Sequence, residues 1–98
     1  MAKRKQVQPR DGVERAFGDA MRKARAKNKI SQMGLFATTG LNRTFISELE
    51  RGLQGPSLHT LLRIAKGIGV HPSSLIQDTL DSPFFVLPDA GRIPRNRE

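Results

Sequence analysis

Two short helical patterns meet across a three-residue joint in "SQMGLFATTGLNRTFISELERG", Ser31 to Gly52. That joint constrains the fold more than any other feature of the chain. Ser31 is a strong N-cap and opens a helix from Gln32 to about Thr39, with Leu35 and Phe36 as its large apolar residues. Gly40 stops this helix, Leu41 plugs the turn, and Asn42 caps the next helix, Arg43 to about Arg51. A joint as short as Gly40-Leu41-Asn42 forces a large crossing angle between the two helices. The second helix therefore projects its first turn outward. Phe45 or Ile46 faces the core with Leu49, while Arg43, Thr44, Ser47 and Glu48 face away.

The flanking segments supply the core for this pair. Residues 1–10 are polar and basic without periodicity and are expected to form a disordered arm. Asp11-Gly12-Val13-Glu14 fits a capping box. It opens a first helix of about 15 residues that buries Val13, Phe17, Ala20, Met21 and Ala24. Arg15, Arg22, Lys23 and Lys27 lie on its opposite face, and Asn28 and Lys29 form a left-handed exit. After the "LQGPS" loop, Ser57 caps a fourth helix with Leu58, Leu61, Leu62, Ile64, Ala65 and Ile68. This is the most apolar helix, so it is expected at the centre, ended by Gly67 and Gly69. Pro72 suits the first position of a short fifth helix, where its missing N–H costs nothing.

The result is an all-α domain of five short helices over residues 11–78, with Leu35, Ile46, Leu49, Leu61, Ile64 and Ile68 in its core. Residues 79–98 form a C-terminal extension. Within it, Phe84 to Leu87 lie between prolines and are too few for a helix. They form either a short strand or a segment laid over the core. Arg92 to Glu98 are expected to be disordered.

Charge points to the partner. The chain carries +8, of which residues 1–29 hold +7, from ten Lys/Arg and three Asp/Glu. A basic excess confined to one end suits an anionic partner, nucleic acid before a membrane surface. With no cysteine, disulfides and thiolate metal sites are excluded. His59 and His71 stand alone and read as surface or capping residues, so no metal or other cofactor is expected. No nucleophile and base sit at a usable spacing, so no enzyme is expected either. No apolar run approaches the roughly 18–20 residues of a membrane span. The charged N-terminus lacks an apolar signal region, which makes a cytoplasm the expected location. No membrane or small-molecule ligand is expected as a partner.

The projecting helix has the diameter, about 10–12 Å with side chains, that fits the major groove of B-DNA. Arg43 can donate twice to guanine O6 and N7, and Thr44 can bond a base edge or pack on a thymine methyl. Ser47 can reach a base edge or a phosphate. Glu48 can accept from cytosine N4 but would repel a phosphate. The helix N-termini at Gln32 and Ser57 offer free N–H groups to phosphate oxygens.

The segment from about Phe17 to Ile76 resembles the lambda-repressor-like, Cro/CI-type (XRE) helix-turn-helix family through "ISQ", "TGLNRTFISELERG", "PSLHTLLRIAKGIGV" and "HPSSLI". Within it, "GLNRTFISELERG" with "PSL" is similar to the controller proteins of restriction–modification systems. The resemblance implies a transcriptional regulator, encoded by a bacterium, phage or plasmid and associated with the nucleoid, that binds a pseudo-palindromic double-stranded DNA operator as a homodimer. It implies base contacts from Arg43, Thr44 and Ser47. Gln32 and Ser57 would lie on phosphates, with Asn42 and Arg51 completing that set. Glu50 and Arg51 match a family pair that shapes the exit of the projecting helix.

Phe36 departs from the family, which usually has alanine there because the paired helices pack closest at that point. It must either push the helices apart or point elsewhere, and Gly34 could compensate. Dimerisation is expected through the fifth helix and its flanks, using Val70, Leu75, Ile76, Leu80, Phe84 and Phe85. The alternatives are an antitoxin-like protein-interaction module, in which the extension binds a partner, and a nonspecific nucleoid-type binder.

Overall fold

The computed structural model describes residues 10–87. Five helices follow one another: α1 (Val13–Lys27), α2 (Gln32–Thr39), α3 (Arg43–Glu50), α4 (Leu58–Ile68) and α5 (Pro72–Asp81). Among the described residues there is no strand. The arm falls almost entirely outside the described residues, and Arg92 to Glu98 do so completely.

Local chemistry sets the ends of the helices. Ser31 Oγ accepts from Gly34 N–H at 2.9 Å, and Ser57 Oγ accepts from Thr60 N–H at 3.1 Å. His71 Nδ1 accepts from Ser73 N–H at 3.1 Å, so this histidine caps α5. The exit of α1 is left-handed at Lys29, with φ of 59°.

The capping box at Asp11 does not form. The N-cap of α1 is Gly12, one residue later, without a side-chain bond. Asp11 instead pairs with Arg15 Nη1 at 2.6 Å. The register shifts because Gly12 N–H donates to Phe84 O at 2.9 Å, which draws the chain across the start of α1.

α1 packs on α3 and α5, α4 packs on α2 and α5, and α2 touches α3. The core joins Phe17, Met21, Leu35, Ile46, Leu49, Ile64, Ala65, Ile68 and Leu75. α4 is not the central helix that its leucine content suggests. It buries only Ile64, Ala65 and Ile68, while Leu61 is half-buried at the margin and Leu58 and Leu62 are exposed. Gly67 does not end α4 but lies within it, at its closest approach to α2. A Cβ there would stand 2.4 Å from Thr39 Cγ2.

The Phe84–Leu87 segment takes the laid-over form. Ser82 Oγ donates to buried Asp19 at 3.1 Å, and Arg15 lies 3.9 Å above the Phe84 ring. Phe85 and Leu87 wall an apolar hollow with Val13, Phe17, Leu61, Ile76 and Leu80.

Candidate nucleic-acid interface

The joint between α2 and α3 is held by several independent bonds. Gly40 is left-handed, φ 75°, and its N–H donates to Phe36 O at 2.8 Å. Thr39 Oγ1 donates to Leu35 O at 2.6 Å and accepts from Leu41 N–H at 3.0 Å. The Arg63 guanidinium donates to Thr39 O, the last carbonyl of α2. Asn42 Oδ1 accepts from Thr44 N–H at 2.7 Å and Phe45 N–H at 3.4 Å. α3 thus leaves the joint at a fixed pitch, anchored by fully buried Ile46 and Leu49.

That pitch turns Arg43 and Thr44 outward, with Ser47 half-exposed beside them. The three line one shallow polar concavity with Gln32 and Arg51. Among the described residues, no hydrogen bond occupies the side chains of Arg43, Thr44 or Ser47. Of the remaining phosphate candidates, Asn42 sits at the edge with its amide oxygen engaged as a cap. Ser57 lies apart at the start of α4, outside the concavity, where it caps and donates to Thr60 Oγ1 at 3.1 Å.

Beneath the concavity lies a buried ion pair. Arg25 Nε donates to Glu50 Oε2 at 2.6 Å, and Arg25 Nη2 donates to Glu50 Oε1 at 2.9 Å. The Glu50 side chain is only 4% exposed. Hydrogen bonding to Glu50 holds the Arg25 guanidinium above its ordinary pKa, against the opposing effect of burial. Arg25 Nη1 also donates to Ile30 O at 2.9 Å, and Gln32 Nε2 donates to Glu50 Oε1 at 3.1 Å. The end of α1, the start of α2 and the end of α3 therefore share one carboxylate. The Glu50 charge is neutralised inside, so it does not oppose an anion at the concavity, and Gln32, which lines that concavity, has its amide anchored to the same carboxylate.

Sequence reasoning assigned Glu50 only to the exit of the helix and did not find Arg25. The available signal was positional. Glu50 follows Ile46 by one helical turn on the inner stripe, where a carboxylate requires a cation.

Phe36 points elsewhere: it is 44% exposed and does not wedge α2 from α3. Gly34 is no compensation for it, since a Cβ there would meet Ile30 Cγ2 at 3.3 Å instead. Among the residues expected at a dimer face, Ile76 and Leu80 are exposed, and Val70, Phe84 and Phe85 are half-buried. Leu75 is fully buried in its own core and has no surface to offer a second copy.

A helix-turn-helix family model matches residues 21–75. The chain belongs to this helix-turn-helix family, of the Cro/CI (XRE) type. This helix-turn-helix protein is 36% identical to the control protein C.BamHI of Bacillus amyloliquefaciens, over 70% of its own length and 86% of the relative's. It is also 36% identical to control protein C.MunI of a Mycoplasma species, over 63% of its length and 85% of the relative's. Among solved structures, the restriction–modification controller protein C.AhdI of Aeromonas hydrophila superposes with a TM-score of 0.60 at 31% identity. That match covers 62% of this chain and 92% of C.AhdI. The C.Esp1396I controller tetramer, in complex with its natural 35-base-pair operator, superposes with a TM-score of 0.61 at 26% identity, over 69% of this chain and 95% of that one. The family match begins inside α1 and ends inside α5. The Ser82–Leu87 strap and the start of α1 that it clasps are therefore outside it.

Proposed function

We propose that this chain is a sequence-specific transcriptional regulator, not an enzyme, that binds a pseudo-palindromic operator as a homodimer in the bacterial cytoplasm and controls a restriction–modification operon. The outward face of α3 carries the reading. Arg43, Thr44 and Ser47 are presented together, without internal partners among the described residues, on a helix whose pitch is fixed by capping bonds at the joint and by buried Ile46 and Leu49. Arg43 pairs with a guanine edge, Thr44 packs on or bonds the neighbouring base, and Ser47 bonds a base or a phosphate. Gln32, Arg51 and the first N–H groups of α2 take phosphate oxygens and set the register. Likeness to the control proteins C.BamHI and C.MunI and to the restriction–modification controller protein C.AhdI supports the operon assignment. The operator-bound C.Esp1396I structure supports an oligomer on DNA.

The dimer face is the exposed side of α5, Ile76 and Leu80, continued by Phe85 and Leu87 of the strap. Two copies joined there place their α3 helices in successive major-groove turns, roughly 34 Å apart. The test is stoichiometric footprinting on a site selected from random DNA. Two chains should protect two half-sites, and Arg43→Ala should cost about 1–3 kcal/mol on that site with little change on random DNA. Equal loss on both DNAs, or one chain per site, refutes the reading.

A further inference from the structure

Glu48 is an acidic side chain on a surface that faces a polyanion. Successive residues of a helix are about 100° apart in projection. Ile46 and Leu49, fully buried, mark the inner side of α3. Thr44 then stands opposite them, with Ser47 on the flank toward α2 and Glu48 on the flank toward the loop of residues 51–57. A carboxylate in that position weakens binding to any phosphate nearby. Among the described residues, no cation forms an ion pair with it.

Its partner is an amide. Gln54 Nε2 donates to Glu48 Oε1 at 2.6 Å. Gln54 sits on a loop with little freedom, because Leu53 N–H donates to Glu48 O at 3.0 Å. Gly52, at φ 76°, lies so close to α1 that a Cβ would stand 2.8 Å from Arg15 Cα. A Cβ on Gly55 would stand 3.2 Å from Glu14 Cγ. The loop is thus seated on the start of α1, and the Gln54 amide it carries holds one oxygen of the Glu48 carboxylate. Oε1 is engaged, and Oε2 remains an acceptor without a partner among the described residues.

We propose that Glu48 is a specificity-determining residue that accepts a hydrogen bond from the exocyclic amino group of a cytosine or an adenine in the major groove, with Gln54 as its positioning residue. This inference rests on the operator-binding reading above. In the major groove cytosine N4 and adenine N6 donate, whereas guanine O6 and thymine O4 accept. A carboxylate held there bonds the first two and repels the others. It lowers affinity for DNA at large and in return rejects the wrong sites.

The experiment is selection of bound sites from a random double-stranded pool, using the full chain as wild type, Glu48→Ala and Gln54→Ala. Wild type is expected to select cytosine or adenine at one position beside those read by Arg43 and Thr44, and the base found identifies the donor. Glu48→Ala should lose discrimination at that position alone, roughly tenfold, and bind random DNA more tightly. Gln54→Ala keeps the carboxylate and should select the same base with weaker discrimination. A Glu48→Ala protein that keeps the wild-type preference at every position overturns the proposal, whatever its affinity or melting temperature. A wild-type protein that selects no common site would instead refute the operator-binding reading on which the proposal rests.

Discussion

Replacing Arg25 by alanine removes three donors at once: two to Glu50 and one to Ile30 O. It leaves a carboxylate whose side chain is 4% exposed, with Gln32 Nε2 as its only remaining side-chain donor among the described residues. Breaking a buried pair by removing one partner costs about 3–5 kcal/mol, because the other charge stays buried and uncompensated. A domain of this size has about 5–15 kcal/mol in total. At about 4–8 °C per kcal/mol, Arg25→Ala should lower the thermal midpoint by roughly 12 °C or more. Urea denaturation measures the same loss at fixed temperature. The double variant Arg25→Met/Glu50→Leu should recover most of it, since a buried pair replaced by apolar groups of similar size is near neutral. Raising an arginine pKa stabilises the fold at every pH below the unfolded value, and the gain is lost only as pH rises through the folded value. The Arg25 contribution should therefore be flat around neutrality and disappear in strong alkali. A loss below about 1 kcal/mol for Arg25→Ala, typical of an exposed pair, would refute the assignment of a buried keystone.

Gly18 and Gly67 both lie where helices touch, and their alanine variants should differ. A Cβ on Gly18 would meet Leu49 O at 2.4 Å and Glu50 O at 2.6 Å, which are backbone atoms that cannot turn aside. A Cβ on Gly67 would meet the Thr39 and Thr38 side chains. Both should destabilise by about 1–3 kcal/mol or more, with Gly18→Ala the worse in urea titrations. Phe36→Ala should cost about 1 kcal/mol, because the residue is half-covered and lies outside the core, and a loss of about 3 kcal/mol or more in a thermal melt would mean that it is packed as a core residue. Ending the chain after Asp81 removes the Asp19–Ser82 and Gly12–Phe84 bonds and uncovers the apolar hollow. Sedimentation equilibrium should then show a weaker dimer, and an unchanged dimer would exclude the strap from the interface.

The elements that local chemistry controls were legible. Ser31, Asn42 and Ser57 are caps in the sequence and caps in the structure, and Gly40 is left-handed where a helix had to stop. The direction of α3, and with it the exposure of Arg43 and Thr44, followed from a joint too short for any other route. Misreadings arose where a distant segment decided the outcome. The capping box was lost and the N-cap moved to Gly12, whose N–H is taken by Phe84 O. Gly67 looked like a stop because nothing local shows that Thr39 lies against it. Leu75 and Ile76 are adjacent apolar residues on one short helix, and only its packing on α1 and α4 separates the buried one from the exposed one.

Glu50 takes this furthest, because its role joins stability to recognition. A carboxylate on the inner stripe of α3 needed a cation, but the chain offers seventeen Lys/Arg, and only the fold selects Arg25. Once selected, that arginine also holds Ile30 O, just before the α2 cap, while the same carboxylate holds Gln32 at the first position of α2. The start of α2, proposed above to meet phosphate, and the exit of α3 are thereby fastened to one buried charge. Mutations at either residue that weaken the fold must also loosen the geometry presented to DNA. Arg25→Met/Glu50→Leu separates the two effects: the apolar pair can restore packing, but it offers Gln32 no acceptor. A protein that melts like the wild type yet binds its operator less tightly is the expected signature. Full recovery of both would mean that packing alone positions α2 and that the Gln32 bond to Glu50 contributes nothing to binding.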